Sequence, residues 1–191
     1  MELRLLYPET ALLTARTVVR RWREAEGKML YDLVQANQSW YRDISPAVIR
    51  AVESPEKAEW FVRKSIARWL MQEEFSFGVW TKEEAKLIGA VRLFEINWDV
   101  PVAELDFFID FDHGKQGLMT EAAHRVARFG FRQLNLEKIQ LKTSSDNYAS
   151  QRLARKLGFR REGDLRSDFR TLTGELQDSM VLGLTKVDFG E

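Results

Sequence analysis

The sequence predicts one mixed α/β domain, an α+β arrangement in which a central sheet of about seven strands carries helices on both faces. Three observations predict it. Short runs of alternating or wholly apolar residues recur, as in Phe75-Ser76-Phe77-Gly78-Val79-Trp80 and Leu87-Ile88-Gly89-Ala90-Val91-Arg92-Leu93-Phe94, which is the pattern of strands with one or both faces covered. Between such runs lie longer stretches with apolar residues at helical spacing; one carries Met119, Ala122, Ala123, Val126, Gly130 and Leu134 on a single face. The third observation is the order: strand, glycine turn, helix, strand around residues 104–143 is a crossover that places two strands parallel.

Taken along the chain, residues 1–16 form a leader in which Pro8 discourages a long first element. Thr17-Val18-Val19-Arg20-Arg21-Trp22 alternates as a first strand, and Glu24 to Ala36, with Met29, Leu30, Leu33 and Val34, reads as a helix. Asn37 to Glu53 is irregular, a loop or broken helix carrying Trp40, Tyr41 and Pro46. Its length and aromatics suit a cover for a binding cleft, and equally an irregular cover for the core. Ser54-Pro55-Glu56 starts the next helix, with serine at the cap and proline at the first position, and this helix runs to about Gln72. The runs at 75–80, 87–94 and 104–109 then form a three-strand meander. After the crossover helix comes a fifth strand, Leu136 to Thr143, parallel to the fourth. A short helix from Tyr148 to Leu157 is capped by the Ser144-Ser145-Asp146-Asn147 stretch and ends at Gly158. Arg160 to Arg170 and Gln177 to Lys186 complete the sheet as two long strands around a turn at Thr173-Gly174. No internal repeat or linker divides the 191 residues, so one domain is expected.

Composition excludes several classes. Apolar residues make up 45% and charged residues 30%, enough for a core in an ordinary globular chain. The 29 basic and 29 acidic residues cancel, which argues against direct nucleic-acid binding. No cysteine is present, so disulfides, thiolate metal sites and a cysteine nucleophile are excluded, and with only His113 and His124 no metal site is expected. No apolar run reaches membrane-spanning length. Met1-Glu2-Leu3-Arg4 lacks the opening of a signal peptide, so the expected location is the cytoplasm.

Chemistry concentrates at residues 104–122. The strand Glu104-Leu105-Asp106-Phe107-Phe108-Ile109 breaks at Asp110-Phe111-Asp112-His113-Gly114-Lys115-Gln116-Gly117 and enters a helix at Leu118-Met119-Thr120. Free N–H groups and the positive end of the helix dipole make such a start a site for phosphate, and glycine lets the backbone approach it. The same turn also reads as plain punctuation between two elements.

Four stretches resemble the Gcn5-related N-acetyltransferase (GNAT) superfamily, and within it the Rim-type ribosomal-protein N-terminal acetyltransferase branch. They are Leu12 to Arg23, Ala103 to Ile109, Gly117 to Ala122, and Asp146-Asn147-Tyr148-Ala149-Ser150-Gln151-Arg152-Leu153-Ala154-Arg155-Lys156-Leu157-Gly158-Phe159 with the residues up to Gly163. The last is the most specific, because length, spacing and endpoint all match, and the likeness spans residues 12–189. It implies a fourth and fifth strand that splay apart, with acetyl-CoA as cosubstrate in the wedge. Phe108 and Ile109 would offer backbone groups to the pantetheine arm. Lys115, Gln116, Gly117, Leu118, Met119 and Thr120 would hold the pyrophosphate, and Asn147 would contact the cofactor as well as cap its helix.

The resemblance also implies roles in catalysis. Acetyl transfer needs an uncharged amine, a held thioester and a proton for the leaving thiolate. Glu104 is the first candidate base, against an alternative as a surface carboxylate, and Asp168 is the second. Ser150 matches the residue that stabilises the leaving thiolate in this branch. Three positions depart from the superfamily: Gly114 and Met119 stand at the ends of the loop pattern, so Lys115 or His113 would supply a phosphate contact, and Ala154 replaces a tyrosine acid. The implied activity is direct transfer of acetyl to a primary amine, the acceptor being a protein N-terminus. The alternatives are a small amine (a polyamine, an amino acid or an aminoglycoside) or a non-catalytic acyl-CoA-binding module. Members of the branch also suggest a homodimer.

Overall fold

The computed structural model describes residues 5–44 and 46–191, and of residues 42–44 and 46 the backbone alone. The signal-peptide reading of Met1 to Arg4 therefore lies outside the described residues. The elements in order are β1 (Ala11–Leu13), β2 (Thr17–Arg21), α1 (Gly27–Ala36), α2 (Gln38–Ile44), α3 (Pro46–Ala51), α4 (Pro55–Leu70), β3 (Phe75–Thr81), β4 (Leu87–Asn97), β5 (Val102–Ile109), a 3₁₀ turn (Phe111–His113), α5 (Leu118–Arg132), β6 (Lys138–Ser144), α6 (Tyr148–Leu157), β7 (Arg160–Arg170), β8 (Leu176–Thr185) and α7 (Lys186–Phe189).

Among the described residues, one sheet of eight strands runs in the order β1-β2-β3-β4-β5-β6-β8-β7. Every neighbouring pair is antiparallel except β5 and β6, which are parallel across the α5 crossover. The expected meander is β3-β4-β5, and the expected fourth and fifth strands are β5 and β6. The eighth strand is β1, three residues of the leader that pair with β2; a run this short carries no period to read. The segment from Asn37 to Glu53, expected as a loop or broken helix, takes the second form: two short helices, α2 and α3, with Ser45 between them outside the described residues. Neither is long enough to show a helical period, and both are held by packing.

The two faces of the sheet bury separate cores. Leu93 and Leu105 face α5 and its Ala122, Val126 and Phe129. On that side Trp69 stands edge-on to Phe75 and Phe77 at 5.0 and 4.9 Å between ring centroids. On the other face Leu30, Val34 and Val62 of α1 and α4 cover Trp80, Leu87 and Ala90. Ser54 caps α4 as expected, its Oγ accepting from Lys57 N at 3.2 Å. No helix among the described residues is long and apolar enough to cross a membrane.

Candidate active site

The parallel pair β5–β6 holds together only at its beginning. Val102, Ala103 and Glu104 pair with Lys138, Ile139 and Gln140, and then the ladder stops, although β5 runs on to Ile109 and β6 to Ser144. The strands part because each keeps a different outer partner: β5 stays with β4 up to Ile109–Gly89, and β6 stays with β8 up to Ser144–Ser179. The twist of the sheet then separates them. The gap opens a cleft of about 580 Å³, walled by the free ends of both strands and by the starts of α5 and α6.

Gly117 starts α5 in the left-handed region, φ +81° and ψ 0°. This conformation, natural for glycine, turns the chain from the Asp110–Gln116 segment into the helix. Lys115, just before it, also has a positive φ of 60°. Lys115, Gly117, Leu118, Met119 and Thr120 all line the cleft. Gln116 does not; its amide Nε2 donates back to the Asp112 carbonyl at 2.9 Å. At the cleft's other edge Asn147 caps α6, its Oδ1 accepting from Ser150 N at 3.1 Å, and Asn147 and Ser150 both line the cleft. Phe108 and Ile109 supply the β5 wall.

Sequence reasoning missed the network that holds the turn before α5. Asn37, buried at the end of α1, donates through Nδ2 to Asp110 Oδ1 at 2.8 Å and to the Leu33 carbonyl at 2.9 Å, while its Oδ1 accepts from Phe111 N at 2.8 Å. His113 Nδ1 lies 2.7 Å from Asp110 Oδ2. Burial pushes the Asp110 carboxyl up, but hydrogen bonds from Asn37 and His113 and the nearby Lys86 outweigh it and hold it below the ordinary aspartate value. His113 also lines the cleft, beside Lys115, so both candidate replacements for the missing loop contact stand there. Arg152 and Lys156, one turn apart on α6, add two cations to the wall; in the sequence they are an ordinary basic helix face.

On the α1–α4 side the cleft is closed by Trp40 and Tyr41 of α2. Trp40 stands edge-on to Phe111 at 5.2 Å and Tyr41 edge-on to Phe108 at 5.4 Å. Tyr41 is fully buried, yet its hydroxyl has no partner among the described residues. Burial and then the Asp110 charge push that hydroxyl's pKa upward, so it stays a neutral donor.

The two candidate bases lie beside the cleft rather than in its wall. Glu104 is the last β5 residue paired with β6, on the face shared with Asp106 and Phe108. Its Oε2 is 3.1 Å from the Nζ of Lys142, a residue that does line the cleft. Burial pushes the Glu104 carboxyl above the ordinary glutamate value, against the opposing pull of Lys142. Asp168 is exposed on β7, beside a register shift, and close enough to Lys142 to help raise that lysine's pKa. His124, outside the site, packs against Phe189 at 4.8 Å.

Comparison with known proteins agrees with this geometry. The model of the acetyltransferase (GNAT) domain family matches residues 16–160. The chain is 34% identical over 117 residues to the probable N-acetyltransferase YjcK of Bacillus subtilis, which is 61% of this chain and 64% of that protein's length. It is 38% identical over 81 residues to spermidine N(1)-acetyltransferase of Escherichia coli, 42% of this chain and 44% of that one. Among solved structures, RimL, a ribosomal L7/L12 alpha-N-protein acetyltransferase in complex with coenzyme A, superposes with a TM-score of 0.85 at 18% identity, covering 92% of this chain and 97% of its own. With a family model matched over most of its length, the chain belongs to the GNAT acetyltransferase domain family.

Proposed function

We propose that the chain is an acetyl-CoA-dependent N-acetyltransferase whose acceptor is the α-amino group of a protein N-terminus. The observation that carries this is the parting of β5 and β6 after Glu104–Gln140, directly beside the helix start at Gly117. An extended amide chain such as pantetheine can pair with the backbone that β5 no longer shares with β6, while a pyrophosphate meets the first N–H groups of α5. In this reading Lys115, Gly117, Leu118, Met119 and Thr120 hold the phosphates, with the Gln116 backbone, and Phe108, Ile109 and Asn147 position the arm. The amine attacks the thioester carbonyl directly, Glu104 takes its proton, and Ser150 Oγ stabilises the departing thiolate. Asp168 is the second base. We place the enzyme in the cytoplasm and read it as a homodimer.

The acceptor reading draws on the likeness to RimL and on Trp40 and Tyr41, which flank the cleft where an extended peptide would enter. One observation favours a second reading, a polyamine acceptor: Glu95, Glu104 and Asp168 are close enough to act together on the pKa of Lys142, a grouping that suits a polycation, and a spermidine acetyltransferase is among the relatives. An acetyl-CoA turnover screen against N-terminal peptides, the matching free amino acids and polyamines decides between them. Peptides turned over faster than the free amino acids support the first reading. Faster polyamine turnover replaces it with the second, and acetyl-CoA binding without any turnover makes the chain a non-catalytic acyl-CoA module.

A further inference from the structure

The Glu104–Lys142 pair lies at the point where the sheet opens. Side chains alternate along a strand, so Lys142 is the first β6 residue beyond the last ladder pair whose side chain projects on the same face as Glu104. The Glu104 side chain is 16% exposed and that of Lys142 39%, and of the pair the lysine is the member that borders the cleft.

The other charges on this face leave Lys142 in a distinct position. Asp106, also on β5, is held by Arg92 of β4 at 2.9 Å. Glu95 projects from the irregularity in β4 between Phe94 and Asn97, where its φ is 50°, and Asp168 comes from β7. Glu95, Glu104 and Asp168 all act on Lys142, and Glu95 and Asp106 act on Glu104 from the same side. Glu104 is the carboxylate in contact with Lys142, Glu95 and Asp168 act on the lysine from farther off, and a protonated acceptor amine is a second cation that such a field would draw in.

We propose that Lys142 is a positioning residue for the base: its ammonium keeps Glu104 ionised in the empty site and gives way to the acceptor's amine when the acceptor binds. This rests on Glu104 being the base. Without the lysine, a carboxylate that is largely buried and flanked by Asp106 and Glu95 takes up a proton at higher pH and can no longer accept one from the substrate. With it, the acceptor arrives as an ammonium, takes over the contact with Glu104 and passes its proton there. The freed amine then attacks the thioester carbonyl; as the C–S bond breaks, the proton shed by the new amide nitrogen passes to the departing thiolate, which leaves as coenzyme A, and Glu104 returns its own proton to solvent.

The test is the pH profile of kcat/KM for one N-terminal peptide at saturating acetyl-CoA, in the parent, Lys142→Met, Lys142→Arg and Glu104→Gln. The peptide's own titration is common to all four. An opposite charge at this distance moves a carboxyl by about 1–3 pH units, and partial exposure favours the low end. The acidic limb of Lys142→Met should therefore shift upward by about one unit, while Lys142→Arg should restore it. The rise in melting temperature on adding acetyl-CoA should be the same in all variants. An unmoved limb in Lys142→Met, together with loss of activity in Glu104→Gln, overturns the role of Lys142 and leaves Glu104 as base. Full activity in Glu104→Gln overturns both. Loss of the acetyl-CoA response in Lys142→Met would make the lysine a cofactor contact and also overturn the proposal.

Discussion

Replacing Gly117 by valine tests the phosphate-binding assignment, and the structure sets the size of the effect. A Cβ at this position would meet only Arg16 Nη2, at 3.4 Å. Packing therefore does not forbid the substitution; backbone conformation opposes it. Holding an L-residue at φ +81° costs about 1–2 kcal/mol. For a chain of this size 1 kcal/mol corresponds to about 2–4 °C in melting temperature, so Gly117→Val should melt about 2–8 °C lower. A valine that relieves the strain swings the first N–H groups of α5 away from the cleft. Each hydrogen bond to a charged group contributes about 1.5–3 kcal/mol. Losing one weakens acetyl-CoA binding by roughly 10- to 150-fold. The assay is a melting curve with and without acetyl-CoA, paired with calorimetric Kd. At about 100 times the parent Kd the ligand stabilises the parent by about 2.7 kcal/mol, but a variant weakened 100-fold gains only about 0.4 kcal/mol. Gly158→Val is the control. Gly158 ends α6 at φ +92°, so its replacement should lower the melting temperature similarly and leave Kd unchanged. A folded Gly117→Val protein that binds acetyl-CoA like the parent refutes the assignment. Equal weakening in Gly158→Val would show that strain anywhere in the fold produces it.

Three further predictions concern the neighbouring groups. Ser150→Ala should lower kcat by on the order of 100-fold while changing acetyl-CoA affinity little, because the thiolate it stabilises forms only in the transition state; single-turnover kinetics with an unchanged rate would pass that role to solvent. Asn37→Ala should destabilise the fold by about 1–3 kcal/mol by stripping partners from Asp110 and Phe111 N. Because the Asp110 carboxyl is held below its ordinary value of 3.8, its contribution is present above that pH and is lost as pH falls through the depressed value. The parent–variant gap in urea midpoint should accordingly narrow towards low pH, and a constant gap would exclude Asp110 as the coupled group. Tyr41→Phe should leave stability unchanged or slightly raised, since the hydroxyl it removes has no partner among the described residues, while Trp40→Ala and Tyr41→Ala should raise KM for a peptide acceptor without changing KM for acetyl-CoA; an unchanged peptide KM in both alanine variants would remove α2 from the acceptor site.

The elements legible in the sequence were those whose own residues carry a period or a cap. α5 shows its buried face at helical spacing, α4 begins with Ser54-Pro55, and α6 lies between Asn147 and Gly158, both of which take the capping roles expected of them. The parallel β5–β6 pair followed from the crossover between them. β1 was not legible because its three residues carry no period, and α2 and α3 were legible only as a loop or broken helix because α2 is fixed by the contacts of Trp40 and Tyr41 with Phe111 and Phe108. A local pattern cannot report a contact made some 70 residues away along the chain.

The same distinction governs the site. Gly117, Asn147 and Ser150, which the structure places at the cleft, were legible because each also has a local role: a left-handed turn, a helix cap, a first-turn position. Asn37 has one local bond, to the Leu33 carbonyl of its own helix end, but nothing local points either it or Lys142 toward the cleft. Asn37 resembles any polar residue at the end of a helix until Asp110 and Phe111 are folded against it. Lys142 is one lysine on an alternating strand until β5 stops pairing at Glu104 and leaves the carboxylate facing it. The two candidate bases, Glu104 and Asp168, are 64 residues apart in the chain, and their common relation is to this lysine. In the proposed mechanism the base thus depends on a cation that only the parting of two strands brings into view, and its removal should therefore show first in the pH profile rather than in the binding of acetyl-CoA.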